Sequence, residues 1–284
     1  NAFAAKALEA GCAYAVIDEA RYAQPNDERY FLVEDCLKAL QQLANLHRRT
    51  LGTRIIGITG TNGKTTTKEL LAAVLSKQFN ILYTQGNLNN QIGVPLTLLK
   101  LRPEHQLAVI EMGASHPGDI QELVEIAEPD CGLITNVGKA HLQGFGSFEG
   151  VIRTKGELYN FLRTRPDAFI FLHDDNPYLK EIAQGLKAIH YGSQSDLCVS
   201  GKSTANSPFL AFEWQADGKT HSVQTQLIGD YNLPNALAAV TVGRYFKIPD
   251  ELICEALSQY FPQNNRSQLK QTTRNTLIID AYNA

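Results

Sequence analysis

The segment GITGTNGKTTT, residues 57–67, constrains the fold of this chain more than any other part of it. Arg54, Ile55 and Ile56 precede it and predict a β-strand, and residues 68–75 follow with the apolar spacing of an α-helix. A strand, a glycine-rich turn, Lys-Thr and a helix form the context in which backbone N–H groups and a helix N-terminus bind phosphate. The sequence therefore predicts a phosphate-binding loop. The alternative is a glycine-rich turn that binds nothing, and the flanking pattern on both sides argues against it.

Two side chains of this loop are suited to a nucleotide. Lys64 can reach the terminal phosphates, and the hydroxyl of Thr65 can ligate Mg²⁺. The general P-loop pattern requires glycine five residues before Gly63, where this chain has Ile58. This departure argues against a kinase or a GTPase. The variant TGTNGKT resembles instead the ATP-binding loop of the Mur ligases and folylpolyglutamate synthases, which form amide bonds with ATP.

Strand and helix patterns alternate from residue 52 onwards. The predicted strands lie near 54–59, 80–84, 107–112, 131–136, 168–172 and 187–191, and the predicted helices near 64–78, 117–127, 148–163, 175–184, 232–246 and 250–260. This alternation predicts an α/β fold with a mainly parallel sheet flanked by helices, whose ligands bind at the carboxyl ends of the strands. Residues 195–228 alternate polar and apolar residues and predict antiparallel strands at the sheet edge.

The predicted elements divide the chain into three parts. Residues 1–50 contain two helix and two strand patterns and predict part of a small α/β N-terminal domain. Residues 51–275 form the predicted central domain, and residues 276–284 the start of a further one. Because the last apolar strand has almost nothing after it, we expect the sequence to be a piece of a longer protein.

Composition excludes several classes of protein. The chain has 284 residues, 44% of them hydrophobic, with a formal net charge of −3, which predicts a globular protein without a basic face for nucleic acid. It has no apolar run of membrane-spanning length, and no signal peptide is visible at the start of the given sequence. Its five cysteines are widely spaced without a C-x-x-C pair, so reduced thiols are a better interpretation than zinc or disulfides. We therefore expect a cytoplasmic protein.

Two residues after the loop, Glu111 and His141, are candidates for metal chemistry. Glu111 ends an apolar strand, and an acid at the tip of a strand beside a P-loop can hold Mg²⁺. Without that neighbour it would be a solvated or capping residue. His141 follows another strand and could ligate a second metal ion or orient a carboxylate, although a lone histidine is usually structural. Lys155 lies in a helix, and its local pattern is that of a surface lysine.

Two groups of asparagines are candidates for binding ligands. Asn87, Asn89 and Asn90 lie in a polar loop that suits the hydroxyl, amide or pyrophosphate groups of a substrate, or equally forms a turn in which Asn90 caps a helix. Asn232 and Asn235 begin a later helix. They either cap that helix or contact the edge of a purine, with Tyr231 as a stacking candidate.

Taken together, these segments resemble the Mur ligases of peptidoglycan synthesis. The resemblance is carried by residues 59–67, 86–90, 92–99, 111–114, 136–142, 144–147 and 155–157, by Asn232, Asn235 and Arg266, and by residues 280–284. The asparagine loop and the final stretch are similar to the branch of the family that joins D-Ala-D-Ala to a UDP-N-acetylmuramoyl-tripeptide (UDP-MurNAc-tripeptide). The match runs along nearly the whole chain.

The resemblance implies a role for each matching residue. The implied ATP-binding residues are Gly60, Thr61, Asn62, Gly63, Lys64, Thr65, Thr66, Asn232 and Asn235 at the adenine, Arg266 at a phosphate and Asp280 at the ribose. The implied catalytic residues are Lys64, Glu111, His141 and Lys155. The implied Mg²⁺ ligands are Thr65, Glu111, His141 and Lys155, the last as a carbamate. Asn87, Asn89 and Asn90 would face the UDP-muramoyl peptide.

The implied reaction is ATP-dependent peptide bond formation in peptidoglycan precursor synthesis, and hence in cell wall biogenesis, cell shape and cell division. ATP and Mg²⁺ are the implied cofactors, and the partners are the two small-molecule substrates, with no nucleic acid, no membrane insertion and a monomeric state. Since the family has three domains, we expect this chain to lack the start of the first and the whole of the last. We also expect it to keep the nucleotide loop but to show little or no ligase turnover. The alternatives are a related Mur-type ligase with another amino-acid acceptor and a non-catalytic ATP-binding module.

Overall fold

The computed structural model describes residues 1–138, 142–205, 208–262 and 268–279. The first part of the chain forms a small unit of helix α1, Ala4–Glu9, parallel strands β1, Ala15–Ile17, and β2, Tyr30–Leu32, and helix α2, Cys36–Leu51. The carboxylate of Asp35 accepts a hydrogen bond from Lys38 N and caps α2, and Gly52 ends the helix with φ of 67°. These elements lie within a few residues of those predicted from the sequence.

Nine strands from the described residues build the central sheet, in the order β11-β10-β9-β8-β7-β6-β3-β5-β4. Their bounds are β3 Arg54–Thr59, β4 Ile81–Tyr83, β5 Leu107–Glu111, β6 Cys131–Ile134, β7 Phe169–His173, β8 Ala188–Gly192, β9 Val199–Ala205, β10 Phe209–Ala216 and β11 Lys219–Ile228. Strands β3 to β9 run parallel, while β10 and β11 are antiparallel and lie at one edge. The predicted α/β fold, with its antiparallel edge, is confirmed.

Helices cover both faces of this sheet. They are α3 Lys64–Leu75, α4 Gly93–Leu98, α5 Asp119–Ala127, α6 Leu142–Phe145, α7 Phe148–Arg163, α8 Pro177–Ile182, α9 Leu233–Tyr245 and α10 Asp250–Gln259. A hairpin of β12 Gln268–Gln271 and β13 Thr276–Ile279 follows. The predicted helices did not include the short helices α4 and α6, although the alternative in which Asn90 caps a helix anticipated α4. None of the helices within the described ranges is long and apolar enough to span a membrane.

Each face of the sheet has its own hydrophobic core. Ile56 and Ile58 of β3 are fully buried on the face covered by α3, α9 and α10, whereas Ile55 is fully buried on the face covered by α2, α4, α5 and α7. Because both faces are buried, the parallel strands have nearly continuous apolar sequences. This two-sided core fixes the carboxyl ends of β3, β5 and β6 beside one another.

Helix α2 packs on the central unit through polar contacts as well as apolar ones. Gln41 Nε2 donates to the carboxylate of Glu122 at 2.8 Å, and Asn45 Nδ2 donates to Ile126 O at 2.9 Å. Glu128 lies at the end of α5, and the nearby Arg49 side chain lowers the pKa of its carboxyl group by hydrogen bonding. The division of the chain near residue 50 stays a prediction.

The close packing of α9 on α3 gives a test of the fold. A Cβ added at Gly243 of α9 would lie 2.6 Å from Val74 Cγ1 and 3.0 Å from Ile253 Cδ1. We expect Gly243→Ala to destabilise the protein by about 1–3 kcal/mol, because the two helices must move apart. The control is Gly156→Ala in α7, where the nearest atom, Ile182 Cδ1, would be 3.6 Å away. That change should stabilise by about 0.5–1 kcal/mol, since alanine favours a helix. Urea unfolding measures both, and equal effects would contradict the packing.

Candidate active site

The loop between β3 and α3 has a shape that requires its glycines. Gly60 has φ of 143° and Gly63 has φ of 77°, both in the region that favours glycine. A Cβ at Gly60 would lie 2.0 Å from Thr135 Oγ1, and one at Gly63 would lie 2.6 Å from Asn235 Oδ1. Thus the two glycines permit both the turn and the close approach of neighbouring segments.

Residues after β6 support this loop from one side. Thr61 N donates to Asn136 O at 2.9 Å and Asn62 N donates to Asn136 Oδ1 at 3.0 Å. The side chains of Thr135 and Asn136 both donate to Asn62 O, at 2.6 and 3.0 Å. The backbone N–H groups of Thr61 and Asn62 are therefore used to hold the loop in place. This supporting role arises because β3 pairs with β6, which is distant in the chain, and no local sequence pattern indicates it.

The N-terminus of α3 supplies the donors suited to a phosphate. The first hydrogen bond of the helix runs from Thr67 N to Gly63 O at 2.8 Å, so the N–H groups of Thr65 and Thr66 have no acceptor within the helix. Lys64 Nζ donates to Gly60 O and to a second loop carbonyl, at 2.9 Å each. The lysine charge is thereby held within the loop, beside those N–H groups. This arrangement can bind a polyphosphate.

Glu111 lies next to this loop as predicted, because β5 pairs directly with β3 and aligns Ile58 with Glu111. The carboxylate is 1% exposed. It accepts hydrogen bonds from Thr65 Oγ1 at 2.9 Å and from Asn89 Nδ2 at 2.8 Å. Both of these partners are neutral, and a cation beside the carboxylate would stabilise its negative charge.

The residues present fit a magnesium ion. The Thr65 hydroxyl and the Glu111 carboxylate are hard oxygen donors, which Mg²⁺ prefers, and they already lie within hydrogen-bond distance of each other. In the described part of the chain, no three His, Cys, Asp or Glu side chains come together as a metal site. The predicted metal ligand His141 lies outside the described residues, as do Arg266 and Asp280.

Lys155 is a buried lysine of the same site. It is 2% exposed, and its Nζ lies 3.5 Å from Ala114 O and 5.3 Å from the centre of the Phe145 ring. Burial, with a smaller contribution from the nearby charge of Lys64, lowers the pKa of Lys155 to about 7. The structure thus shows that Lys155 is buried, whereas its local sequence pattern is that of a surface lysine.

The three asparagines of the loop after β4 do different things. Asn90 Oδ1 accepts hydrogen bonds from Gly93 N at 2.8 Å and Ile92 N at 3.2 Å, so it caps the start of α4. Asn89 binds the Glu111 carboxylate, and its carbonyl accepts from a backbone N–H after β5. Asn87 is exposed. Of the three predicted substrate ligands, two therefore have roles within the protein.

Asn232 and Asn235 connect the start of α9 to the loop. Asn235 Oδ1 accepts from Thr67 Oγ1 at 3.1 Å, and its Nδ2 donates to Asn232 Oδ1 at 3.0 Å. Asn232 Nδ2 in turn donates to Ile228 O at 2.9 Å. Both asparagines are buried, whereas Tyr231 is 62% exposed. These amides hold α9 against α3, and contact with adenine stays a prediction.

Comparisons with known proteins agree with this geometry. Residues 58–243 match the family model described as the Mur ligase middle domain. UDP-N-acetylmuramoyl-tripeptide–D-alanyl-D-alanine ligase of Bacillus subtilis is 37% identical, over 100% of this chain and 62% of that protein. Among solved structures, MurF from Acinetobacter baumannii gives a TM-score of 0.87 at 32% identity, covering 99% of this chain and 62% of that one.

A further solved relative contains a nucleotide. The MurF ligase from Thermotoga maritima in complex with ADP gives a TM-score of 0.86 at 28% identity, covering 99% of this chain and 65% of that one. The chain therefore spans less than two thirds of the length of each of these three relatives.

The burial of Lys155 predicts a pH dependence of stability. Its folded pKa of about 7 lies below the value of ~10.4 in an unfolded chain. Between these values the unfolded state binds more protons, so the stability of the wild type should rise with pH relative to Lys155→Met, by at most about 1.4 kcal/mol per pH unit. Below pH 7 the difference should level off at the full cost of burying the charge.

Denaturant unfolding at several pH values, in CO₂-free buffer with EDTA, measures this difference. The control is Lys100→Met, because Lys100 is exposed and the substitution removes a lysine without changing a buried site. A flat difference for Lys155→Met would show that the lysine stays charged in the folded protein.

Proposed function

Because the chain belongs to the Mur ligase family, we propose that it binds ATP with Mg²⁺ for an ATP-dependent ligase that joins D-alanyl-D-alanine to a UDP-N-acetylmuramoyl-tripeptide. The observation that carries the proposal is the buried Glu111 carboxylate against Thr65, directly beside the glycine loop. The two proposed substrates are those in the names of the matching ligases of Bacillus subtilis and Escherichia coli. Since the chain spans 62% of the Bacillus relative, turnover is proposed for the full-length protein.

Binding of the nucleotide is assigned to the start of α3. The N–H groups of Lys64, Thr65 and Thr66 and the ammonium group of Lys64 would neutralise the phosphate oxygens, in the manner of other phosphate-binding loops. On binding, Lys64 would exchange its hydrogen bonds to the loop carbonyls for bonds to phosphate. Asn232 and Asn235 remain proposed contacts to the adenine. Arg266 remains the proposed contact to a phosphate, and Asp280 the proposed contact to the ribose.

Thr65 and Glu111 would hold Mg²⁺, and His141 is kept as a proposed ligand of a second ion. When bound, Mg²⁺ supplies charge neutralisation for the phosphoryl group that leaves ATP. The chain's own residues provide the rest. Glu111 is kept in place by Thr65 and Asn89, and the low exposure of the carboxylate excludes water from its surroundings. Electrostatic attraction is stronger in such a site than in water.

Lys155 is proposed to become a carbamate. The neutral amine attacks CO₂, a C–N bond forms, and one proton is released, which gives the N-carboxylate anion. A pKa of about 7 leaves a large neutral fraction at neutral pH, as this reaction requires. With ¹³C-bicarbonate, the wild type should show a carbamate carbon resonance in NMR spectra, and Lys155→Met should not. A spectrum without that resonance in the wild type would contradict the proposal.

The proposed chemistry activates a carboxylate. The terminal carboxylate of the tripeptide attacks the γ-phosphorus of ATP, the bond to the bridging oxygen breaks, and ADP leaves. The amine of D-Ala-D-Ala then attacks the acyl phosphate, loses a proton and displaces phosphate, which leaves the amide. Bringing several anionic oxygens together requires the positive charge of the site. We propose that the side of the site facing the UDP-muramoyl peptide is lined by Asn87, Asn89 and Asn90.

Two alternatives are tested along with this proposal. A related ligase would use another amino-acid acceptor, and a non-catalytic module would bind ATP only. The structure keeps Lys64, Thr65, Glu111 and Lys155 together, which favours a catalytic site over a degenerate one. Peptidoglycan precursor synthesis in the cytoplasm, by a monomer, is the proposed setting.

The first experiment measures ADP binding by this chain with isothermal titration calorimetry. Lys64→Met should weaken ADP about 10- to 100-fold, because it removes charged hydrogen bonds to phosphate. Lys77→Met is the control, since Lys77 lies beyond the end of α3 and forms an ion pair with Glu255. Equal affinities of all three proteins would contradict the assignment of the loop.

The second part measures phosphate release by the full-length protein. Release should require both UDP-MurNAc-tripeptide and D-Ala-D-Ala, and Lys64→Met should abolish it. Release with a different amine would favour another acceptor, and ADP binding without any release would favour the non-catalytic module.

A further inference from the structure

Lys68 is a fully buried lysine that none of the proposed steps uses. It is 0% exposed, although it lies only one turn after Lys64 in α3. Its Nζ donates to Thr84 O at 2.6 Å, forms an ion pair with Glu69 at 2.9 Å and lies 5.7 Å from the centre of the Tyr83 ring. Burying an ammonium group is expensive, and an apolar side chain of similar length would pack there without that cost. The retained charge calls for an explanation.

The hydrogen bond from Lys68 belongs to a closed ring of four residues. Lys68 Nζ donates to the carbonyl of Thr84, and the hydroxyl of Thr84 accepts from Glu111 N at 2.9 Å. The Glu111 carboxylate accepts from Thr65 Oγ1 at 2.9 Å. Thr65 and Lys68 lie three positions apart on one face of α3, which closes the ring. The ring thus connects α3, the end of β4 and the end of β5.

The position of Thr84 shows what the ring fixes. Thr84 is fully buried and is the first residue after β4, and its N–H donates to Val109 O at 3.0 Å. Its carbonyl and hydroxyl are therefore held between a strand and Lys68. Because the hydroxyl holds Glu111 N, the orientation of Thr84 sets where the backbone of Glu111 lies relative to Thr65.

We propose that Lys68 is a positioning residue for the metal site: through Thr84 it holds the Glu111 carboxylate at the place where Glu111 and Thr65 can bind Mg²⁺ together. The proposal rests on the proposed function, since it concerns the Mg²⁺ that accompanies the nucleotide. Lys68 acts through other residues and would itself contact neither the metal nor the phosphate. Groups that orient metal ligands in this way commonly change metal affinity when they are replaced.

The test is the Mg²⁺ dependence of ADP binding, measured by calorimetry with this chain. In Lys68→Met, the Mg²⁺ concentration for half-maximal ADP binding should rise about 10- to 100-fold. Affinity for ADP in EDTA should stay unchanged, because Lys64 and the loop are intact. A purely structural role would weaken binding equally with and without Mg²⁺, and that result would overturn the proposal. Lys77→Met, with a lysine removed outside the ring, should leave both quantities unchanged.

A matched pair at Thr84 tests the same ring without removing a buried charge. Thr84→Val keeps the shape of the side chain but removes the hydroxyl that holds Glu111 N, so it should raise the Mg²⁺ requirement. Thr84→Ser keeps the hydroxyl and should behave as the wild type. If Lys68→Met does not fold, the two Thr84 variants test the proposal by themselves. Equal Mg²⁺ requirements of Thr84→Val and Thr84→Ser would overturn it.

The results separate this inference from the proposed function. A wild-type chain that binds no ADP with Mg²⁺ would contradict both. A wild-type chain that binds Mg²⁺ and ADP, with unchanged Mg²⁺ requirements in Lys68→Met and Thr84→Val, would contradict only the role of Lys68.

Discussion

The parallel pairing of β3 with β5 on one side and β6 on the other is the constraint on which the candidate site depends. Register aligns Ile58 with Glu111 and Thr59 with Ile134, so three strands end side by side. Parallel strands bring their carboxyl ends to the same edge, where α/β proteins bind ligands. The glycine loop, the buried carboxylate and the supporting Asn136 therefore come from three distant parts of the chain but meet at one edge.

The site also depends on charge held in low-dielectric surroundings. Glu111 and Lys68 are each at most 1% exposed, and a charged side chain is better solvated in water than in such surroundings. The fold keeps them by packing helices on both faces of the sheet and by giving Glu111 and Lys68 hydrogen-bond partners. Such an arrangement costs stability, and it makes the electrostatic interactions with an anionic nucleotide and its metal stronger than in an open site.

Helix α3 connects these features. Its N-terminus presents N–H groups to the loop, Thr65 contacts the carboxylate, Thr67 binds Asn235 of α9, and Lys68 reaches Thr84. One helix thus determines the relative positions of the loop, the metal candidate and the neighbouring helix. A displacement of α3 would disturb all three together, and its close packing against Gly243 of α9 opposes such a displacement.

The sequence by itself determined the elements whose information is local. The loop of residues 57–67 with its positive-φ glycines, the alternation of strands and helices, and the acid at the end of β5 are all short-range patterns, and they predicted the fold and the centre of the site. The tertiary structure alone decided that Lys155 and Lys68 are buried, that Asn89 binds Glu111, and that the Thr61 and Asn62 amides bind Asn136. Burial and hydrogen-bond partners depend on residues far away in the chain, and no local pattern specifies which distant residues will meet.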